Sequence, residues 1–182
     1  GYTGLLSLGH AMFFAAGLYA AGLTVNYFGI DPVSAFLVGS AATFAFATTV
    51  GLVALRTTGV SFMIVTMMFA QACFLLILYF NEWTRGDEGI DLSQAARQVA
   101  GFSLINPTVQ YNLALALFAG GLILCLVLVR SPVGRVLVAI RENEERVKML
   151  GYHTFPYKLL ALALSGLLSG AAGASYALMF GY

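Results

Sequence analysis

The residues with the clearest capacity for chemistry lie in one charged stretch, residues 131–152, which reads SPVGRVLVAIRENEERVKMLGY. With Arg130 and Lys158 at its edges, this stretch holds six of the nine basic residues. Three pairs of opposite charge are four residues apart and would face each other on a helix: Arg141–Glu145, Glu142–Arg146 and Glu144–Lys148. The chemistry that these side chains offer is recognition of a surface in water through ion pairs and hydrogen bonds.

The histidines and cysteines, which could bind a metal or take part in covalent chemistry, do not have the spacing that such chemistry requires. The two histidines, His10 and His153, are isolated and lack the spacing of a zinc site. The sequence contains no Walker motif, no GxSxG and no dinucleotide fingerprint. Cys73 and Cys125 lie within apolar runs, which is typical of small buried side chains rather than of a disulfide. We therefore predict a protein that is not an enzyme and that binds no metal or cofactor directly.

The chain as a whole has the composition of a membrane protein. Hydrophobic residues make up 60% of it and charged residues only 9%, whereas a soluble domain carries about a quarter charged residues. Five uncharged runs are each near the ~20 residues that a helix needs to cross ~30 Å of hydrocarbon. They are residues 11–30, 33–55, 60–80, 111–129 and 159–180. The predicted fold is an all-α integral membrane protein, a bundle of about five spanning helices.

The charged stretch itself is predicted to be a helix. Ser131 followed by Pro132 is a strong helix start, and Gly151 is a strong stop. Apolar residues recur between them at helical spacing: Val133, Val136, Leu137, Ile140, Val147 and Leu150. The helix could rest on lipid headgroups, but its charges alternate in sign, which favours a protein partner over an anionic membrane surface.

The apolar run 60–80 contains the polar residues Thr66 and Gln71. Thr66 and Gln71 could line a passage for a polar solute, or they could bond neighbouring helices to each other. Ser7 lies in a glycine-rich stretch, which predicts a helix start or a broken helix, or alternatively close helix packing through small residues. The pattern Gly166-Leu-Leu-Ser-Gly170, continued by Gly173, predicts tight contacts between helices.

Basic residues predict the orientation in the membrane. Loops on the cytoplasmic side are enriched in Lys and Arg, so the 130–158 loop is placed in the cytoplasm and the 82–110 loop outside. The outer loop, with Arg85 and Arg97 as its only basic residues, is expected to form a short helix near 92–100.

The centres of the spans contain no Asp, Glu, Lys or Arg. Carriers driven by proton gradients place ionisable groups at membrane depth, because such groups form the ion path. The pattern therefore favours a pathway driven from outside the membrane through the cytoplasmic helix. Sodium coupling through carbonyl oxygens, a self-contained carrier and a channel remain alternatives.

Four blocks of sequence carry a family resemblance. They are GYTGLLSLGHAMFFAAGLYAAG at the start, RTTGVSFMIVTMMFAQ at 56–71, TRGDEGI at 84–90 and the block from 131 to 174. The chain resembles the second, M-type, permease subunit of bacterial branched-chain amino-acid ABC importers. Members of that family are longer, so residues 1–182 are expected to be a fragment of one permease domain with further spans at both ends.

The resemblance implies a heteromeric importer in the bacterial cytoplasmic membrane. Its other parts would be a second homologous permease, two cytoplasmic ATPase subunits that hold ATP and magnesium, and an external substrate-binding protein; lipid would surround it, and no nucleic acid would bind. Related permeases carry urea or short amides, which remain the alternative solutes. Family members often have Gly-Gly where this chain has Arg85-Gly86, so substrate delivery could differ.

The resemblance also assigns roles to residues. A short cytoplasmic helix would insert into a cleft of the ATPase, and the residues expected to couple the two are Gly134, Arg135, Ala139, Ile140, Arg141, Glu142, Asn143, Glu144 and Arg146. The residues expected along the substrate pathway are Ser7, Thr66 and Gln71.

Overall fold

The computed structural model describes residues 3–86, 98–99, 102–103 and 106–181. Its helices are α1 (His10–Phe28), α2 (Pro32–Ala54), α3 (Gly59–Tyr79), α4 (Asn81–Thr84), α5 (Pro107–Arg130), α6 (Pro132–Glu142), α7 (Glu144–Met149) and α8 (Thr154–Phe180). Two antiparallel strands of two residues each, β1 (Gln98–Val99) and β2 (Phe102–Ser103), pair in the α4–α5 connection.

The predicted spans are confirmed. Within the ranges that the structure describes, α1, α2, α3, α5 and α8 are long and apolar enough to cross a bilayer. Each begins and ends within a few residues of its predicted run, because continuous hydrophobicity over ~20 residues leaves a helix as the arrangement that satisfies its own backbone. The short helix predicted near 92–100 is wrong at its end, where Gln98 and Val99 lie in β1; residues 92–97 and Ala100 lie outside the described residues.

Close contacts among α1, α2 and α8 form the centre of the bundle, and glycines make them possible. A Cβ on Gly166 would lie 2.4 Å from the Cβ of Ala47, and one on Gly170 would lie 2.4 Å from Thr43. A Cβ on Gly173 would lie 2.0 Å from the carbonyl oxygen of Phe14. The predicted tight contacts are therefore confirmed, and α8 makes them within the chain, with α1 and α2.

The other two spans lie at the periphery. On α3 only Phe62 and Thr66 are buried, and α5 has no buried residue. Their exposed side chains are largely apolar, as expected of surfaces that meet lipid tails or other spanning helices.

One end of the bundle collects the charges. At this end, here called the charged end, α2 and α5 finish, α3 and α8 begin, and α6 and α7 lie between α5 and α8. Its basic residues are Arg56, Arg130, Arg135, Arg141, Arg146, Lys148 and Lys158, which are seven of the nine in the chain.

Candidate functional site

The start of α6 follows the prediction. The Ser131 side chain accepts a hydrogen bond from the Gly134 amide at 3.2 Å, and Pro132 occupies the first turn. Gly134 lies against the end of α5, where an added Cβ would be 2.3 Å from the Val129 carbonyl oxygen. These contacts turn the chain sharply out of α5 and hold α6 close to the bundle.

The single helix predicted over residues 132–150 is wrong, because the chain breaks at Asn143. The φ and ψ of Asn143 are −160° and 99°, which is extended backbone, and its side chain accepts a hydrogen bond from the Arg146 amide at 3.0 Å. Asn143 thus caps a second helix, α7, with acidic residues in its first turn and basic residues in its last turn. Asn143 followed by two acidic residues is a helix-start signal in the sequence. It was overlooked because the apolar residues continue at helical spacing across it.

The break decides which of the three predicted ion pairs form. Glu144 and Lys148, both in α7, have oxygen and nitrogen 3.6 Å apart. Arg141 instead pairs with its neighbour Glu142 at 2.9 Å. Among the described residues, the pairs Arg141–Glu145 and Glu142–Arg146, which would cross the break, do not form.

The residues expected to contact an ATPase divide into two groups. Gly134 and Ile140 are buried against the chain itself, together with Leu137 and Val147, and Glu144 is partly buried. The others are exposed: Arg135, Ala139, Arg141, Glu142, Asn143 and Arg146. The buried group holds α6 and α7 onto the bundle, while the exposed group leaves a mixed-charge surface open.

An ion pair that the sequence reasoning missed fastens α7 to α8. Lys158, in α8, places its Nζ 2.5 Å from Oε2 of Glu144, and the Thr154 hydroxyl donates to Oε1 of the same carboxylate at 2.9 Å. Lys158 and Thr154 are both buried. Glu144 and Lys158 are 14 residues apart and do not share a helix, so no spacing rule predicts their contact from the sequence.

Two opposing influences act on the pKa of Glu144. Partial burial, the largest influence, raises it, but the hydrogen bonds from Lys158 and Thr154 and the positive charges of Lys158 and Lys148 together lower it below its ordinary value. The carboxylate is therefore held ionised in its place between α7 and α8.

Acidification is expected to release α7 from α8. Because the pKa of Glu144 is lower in the folded protein than in the unfolded chain, the pair stabilises the folded state above the ordinary carboxyl pKa of about 4.5, and this contribution is lost as the pH falls through the lowered value. Amide hydrogen exchange of residues 144–149, corrected for intrinsic rates, should show protection above the ordinary carboxyl pKa that is lost as the pH falls through the lowered pKa. The same decline in Glu144→Gln would contradict this origin.

A segment without regular structure, residues 3–9, links the charged end to the interior of the bundle. An added Cβ on Gly4, whose φ is +67°, would lie 3.1 Å from Cγ of Arg141. A cavity of about 260 Å³ is lined by this segment, the α2–α3 turn and the α6–α7 break. The glycine-rich stretch contains the start of α1, at His10, and its Gly17 packs closely against Gly170 of α8, in agreement with the helix-start and close-packing interpretations.

Polar side chains satisfy the backbone of this segment near the middle of the bundle. The Leu8 amide donates to Oγ1 of Thr66 at 3.3 Å, and the Gly9 amide donates to Oγ of Ser7 at 3.3 Å. Irregular backbone at membrane depth requires such partners, because lipid supplies none.

His10 joins α1 to α8 beside these contacts. Its Nε2 lies 2.7 Å from Oγ of Ser165, and the Ser169 hydroxyl donates to the His10 carbonyl oxygen at 3.1 Å. The contacts make His10 a structural link between the two helices.

The predicted pathway residues do not share one surface. Thr66 is buried and Ser7 is partly buried beside the irregular segment, whereas Gln71 is exposed on α3. Five residues of helix separate Thr66 and Gln71 by about 140° around the α3 axis. Their role along a pathway stays a prediction, and the structure gives Thr66 and Gln71 different surroundings.

Replacing Ser165 by alanine is expected to lower the free energy of unfolding by about 1–2 kcal/mol, because His10 loses its hydroxyl partner inside the bundle. The midpoint of thermal unfolding in detergent measures the effect. Ser175→Ala is the matched control, because the Ser175 hydroxyl donates to Ala171 within its own helix at 2.6 Å. Equal losses in the two variants would show that the contact with His10 contributes nothing.

The fold and the charged end define a multi-pass membrane protein of helices, with two short helices exposed at one end. The whole chain, residues 1–182, matches the family described as branched-chain amino acid transport system / permease component. The chain belongs to this family, which is a family of transport components rather than of catalysts. The resemblance seen in the sequence is thereby confirmed.

Two curated relatives match over the whole chain. They are the high-affinity branched-chain amino acid transport system permease proteins LivM of Escherichia coli (strain K12) and of Salmonella typhimurium (strain LT2), each 30% identical over an alignment of 209 residues. The alignment includes 100% of this chain and 48% of each relative, so the chain spans about half the length of those proteins. No solved structure matches the chain.

Proposed function

We propose that this chain is part of the membrane pathway of an ATP-driven importer in the bacterial cytoplasmic membrane, and that α6 and α7 bind a cytoplasmic ATPase subunit. The observation that carries the proposal is the exposed mixed-charge surface of α6–α7, fastened to the spanning helices by buried contacts. In the complete importer, two ATPase subunits holding ATP and magnesium would lie beneath two homologous permeases. An external binding protein would deliver the solute.

The chemistry of the spans supports an external source of energy. Among the described residues of the five spans, the charged side chains are Arg130, at the last position of α5, and Lys158, in the second turn of α8. Both lie at the charged end, so neither provides an ionisable group at the centre of the membrane. The charged end is placed in the cytoplasm because basic residues collect on that side.

The exposed face of α3 supports a neighbouring protein subunit. Gln71 lies in the middle of this helix on a face with Met67 and Met68, and all three are exposed in the chain. An amide facing lipid would lack hydrogen-bond partners, at a cost of about 1–3 kcal/mol. This face is therefore assigned to the second permease or to the passage between the two permeases.

The solute is proposed to be a branched-chain or related hydrophobic amino acid. The family description and the names of both LivM relatives support this choice. Urea and short amides are the second candidate class, because the sequence resemblance extends to permeases for those solutes.

Uptake by the complete importer in proteoliposomes tests the proposal. With the binding protein outside and ATP inside, labelled leucine is expected to accumulate, and unlabelled isoleucine or valine should compete while urea and acetamide should not. Accumulation without ATP, driven by an imposed sodium or proton gradient, would overturn the proposed function. Accumulation of urea but not leucine would keep the ATP-driven importer and replace the solute.

A further inference from the structure

The link between α7 and α8 is a defined polar contact between a short helix and a spanning helix. Both carboxylate oxygens of Glu144 are engaged by α8, one by Nζ of Lys158 and the other by the Thr154 hydroxyl. The side chain of Lys158 is only 11% exposed and that of Glu144 29% exposed, so solvent screens the pair less than the surface pair Lys148–Glu145.

The connections on both sides of α7 are exposed. On one side, the extended backbone of Asn143 separates α7 from α6. On the other side, Leu150, Gly151 and Tyr152 are exposed, and Gly151 has a φ of +86°. The position of α7 against α8 therefore depends on Val147, which is buried, and on the Glu144 ion pair.

The helix on the other side of this link is α8, which packs against both α1 and α2 at the centre of the bundle. Gly166 and Gly170 of α8 pack without side chains against α2, and Gly173 packs in the same way against α1. Ser165 of α8 also binds His10, where α1 begins. Because packed helices move as rigid bodies, a displacement of the first turns of α8 reaches both neighbours.

We propose that Glu144 and Lys158 are positioning residues that pass the movement of the ATPase-binding helices into α8 and so into the membrane bundle. The inference rests on the proposed function, because it requires that α6 and α7 bind the ATPase. It adds a specific route, through one ion pair, by which their displacement reaches the spans.

Charge exchange in the complete importer tests the route. In proteoliposomes that report ATP hydrolysis and leucine uptake together, Glu144→Lys and Lys158→Glu should each lower uptake per ATP by about tenfold while hydrolysis continues. The double variant Glu144→Lys/Lys158→Glu restores opposite charges and should recover most of the uptake per ATP. Asp31→Lys, the same change of charge on an exposed residue at the opposite end of the bundle, should leave uptake per ATP unchanged.

A different result is expected if the pair only stabilises the fold. The single variants would then lower the yield of assembled complex, and ATP hydrolysis and uptake would fall in proportion, so that uptake per ATP stays constant. That result would overturn the inference, as would wild-type uptake per ATP in either single variant.

Hydrogen exchange separates the inference from the proposed function. In the nucleotide-free protein, Lys158→Met should raise amide exchange in residues 144–149 about tenfold and leave residues 134–140 unchanged. Unchanged exchange in residues 144–149 would overturn the proposed link even if uptake is driven by ATP. If Lys158→Met raises the exchange but uptake by the wild-type importer does not require ATP, the proposed function is overturned instead.

Discussion

Importers carrying Glu142→Lys are expected to lose ATP-driven uptake while the variant permease still folds and inserts into the membrane. Glu142 is exposed at the end of α6, and its ion pair with Arg141 lies at the surface, so the substitution costs the permease itself less than about 1 kcal/mol. At an interface with the ATPase, the reversed charge would cost about 3 kcal/mol, which weakens binding about a hundredfold. Co-purification of the ATPase and uptake by the complete importer measure the two effects.

Asp31→Lys is the matched control for this prediction. Asp31 carries the same charge and is exposed where α2 begins, at the opposite end of the bundle from α6 and α7. The Asp31 variant should retain the ATPase and most of the uptake. Normal uptake in Glu142→Lys, with normal expression, would exclude this end of α6 from the ATPase interface.

Gly173→Ala is expected to destabilise the membrane bundle by about 2–3 kcal/mol, because a Cβ at this position would lie 2.0 Å from the Phe14 carbonyl oxygen. The obstacle is backbone, so relief requires α1 and α8 to separate along their contact. Separation also weakens the nearby contacts of His10 with Ser165 and Ser169. A lower thermal midpoint in detergent and a lower yield of folded protein are the expected observations.

Gly120→Ala is the control for the glycine prediction. Gly120 is a helical glycine of α5 with no other atom within 4 Å of an added Cβ, so alanine should be neutral or slightly stabilising through helix propensity. If both substitutions lower the midpoint equally, close approach of α1 and α8 is not what requires Gly173.

The spanning helices could be predicted from the sequence because their signal is simple. In lipid, an uncharged run of ~20 residues has one way to satisfy its backbone. The spacing of Gly166, Gly170 and Gly173 predicted close contact as well, because glycine on one helix face permits it. Their partners on α1 and α2 were not predictable, since the choice of neighbour depends on packing across the whole bundle.

The candidate site was predicted only in part. Ser131-Pro132 located the start of α6, but the regular apolar spacing hid the break at Asn143, where a side-chain cap competes with continued helix. The Glu144–Lys158 pair was missed because the break and the following turn determine which charges meet. The contact of His10 with Ser165 joins residues 155 apart and has no local signal.

Site-specific cross-linking tests the central claim most directly. A photoreactive residue in place of Ala139, which is exposed on α6, should form an adduct with the ATPase subunit in the assembled importer. The same residue in place of Phe118, which is 69% exposed on the apolar surface of α5, should form none. An ATPase adduct from Ala139 alone is the predicted result; its absence, or equal adducts from both positions, would contradict the claim that α6 and α7 are where the ATPase binds.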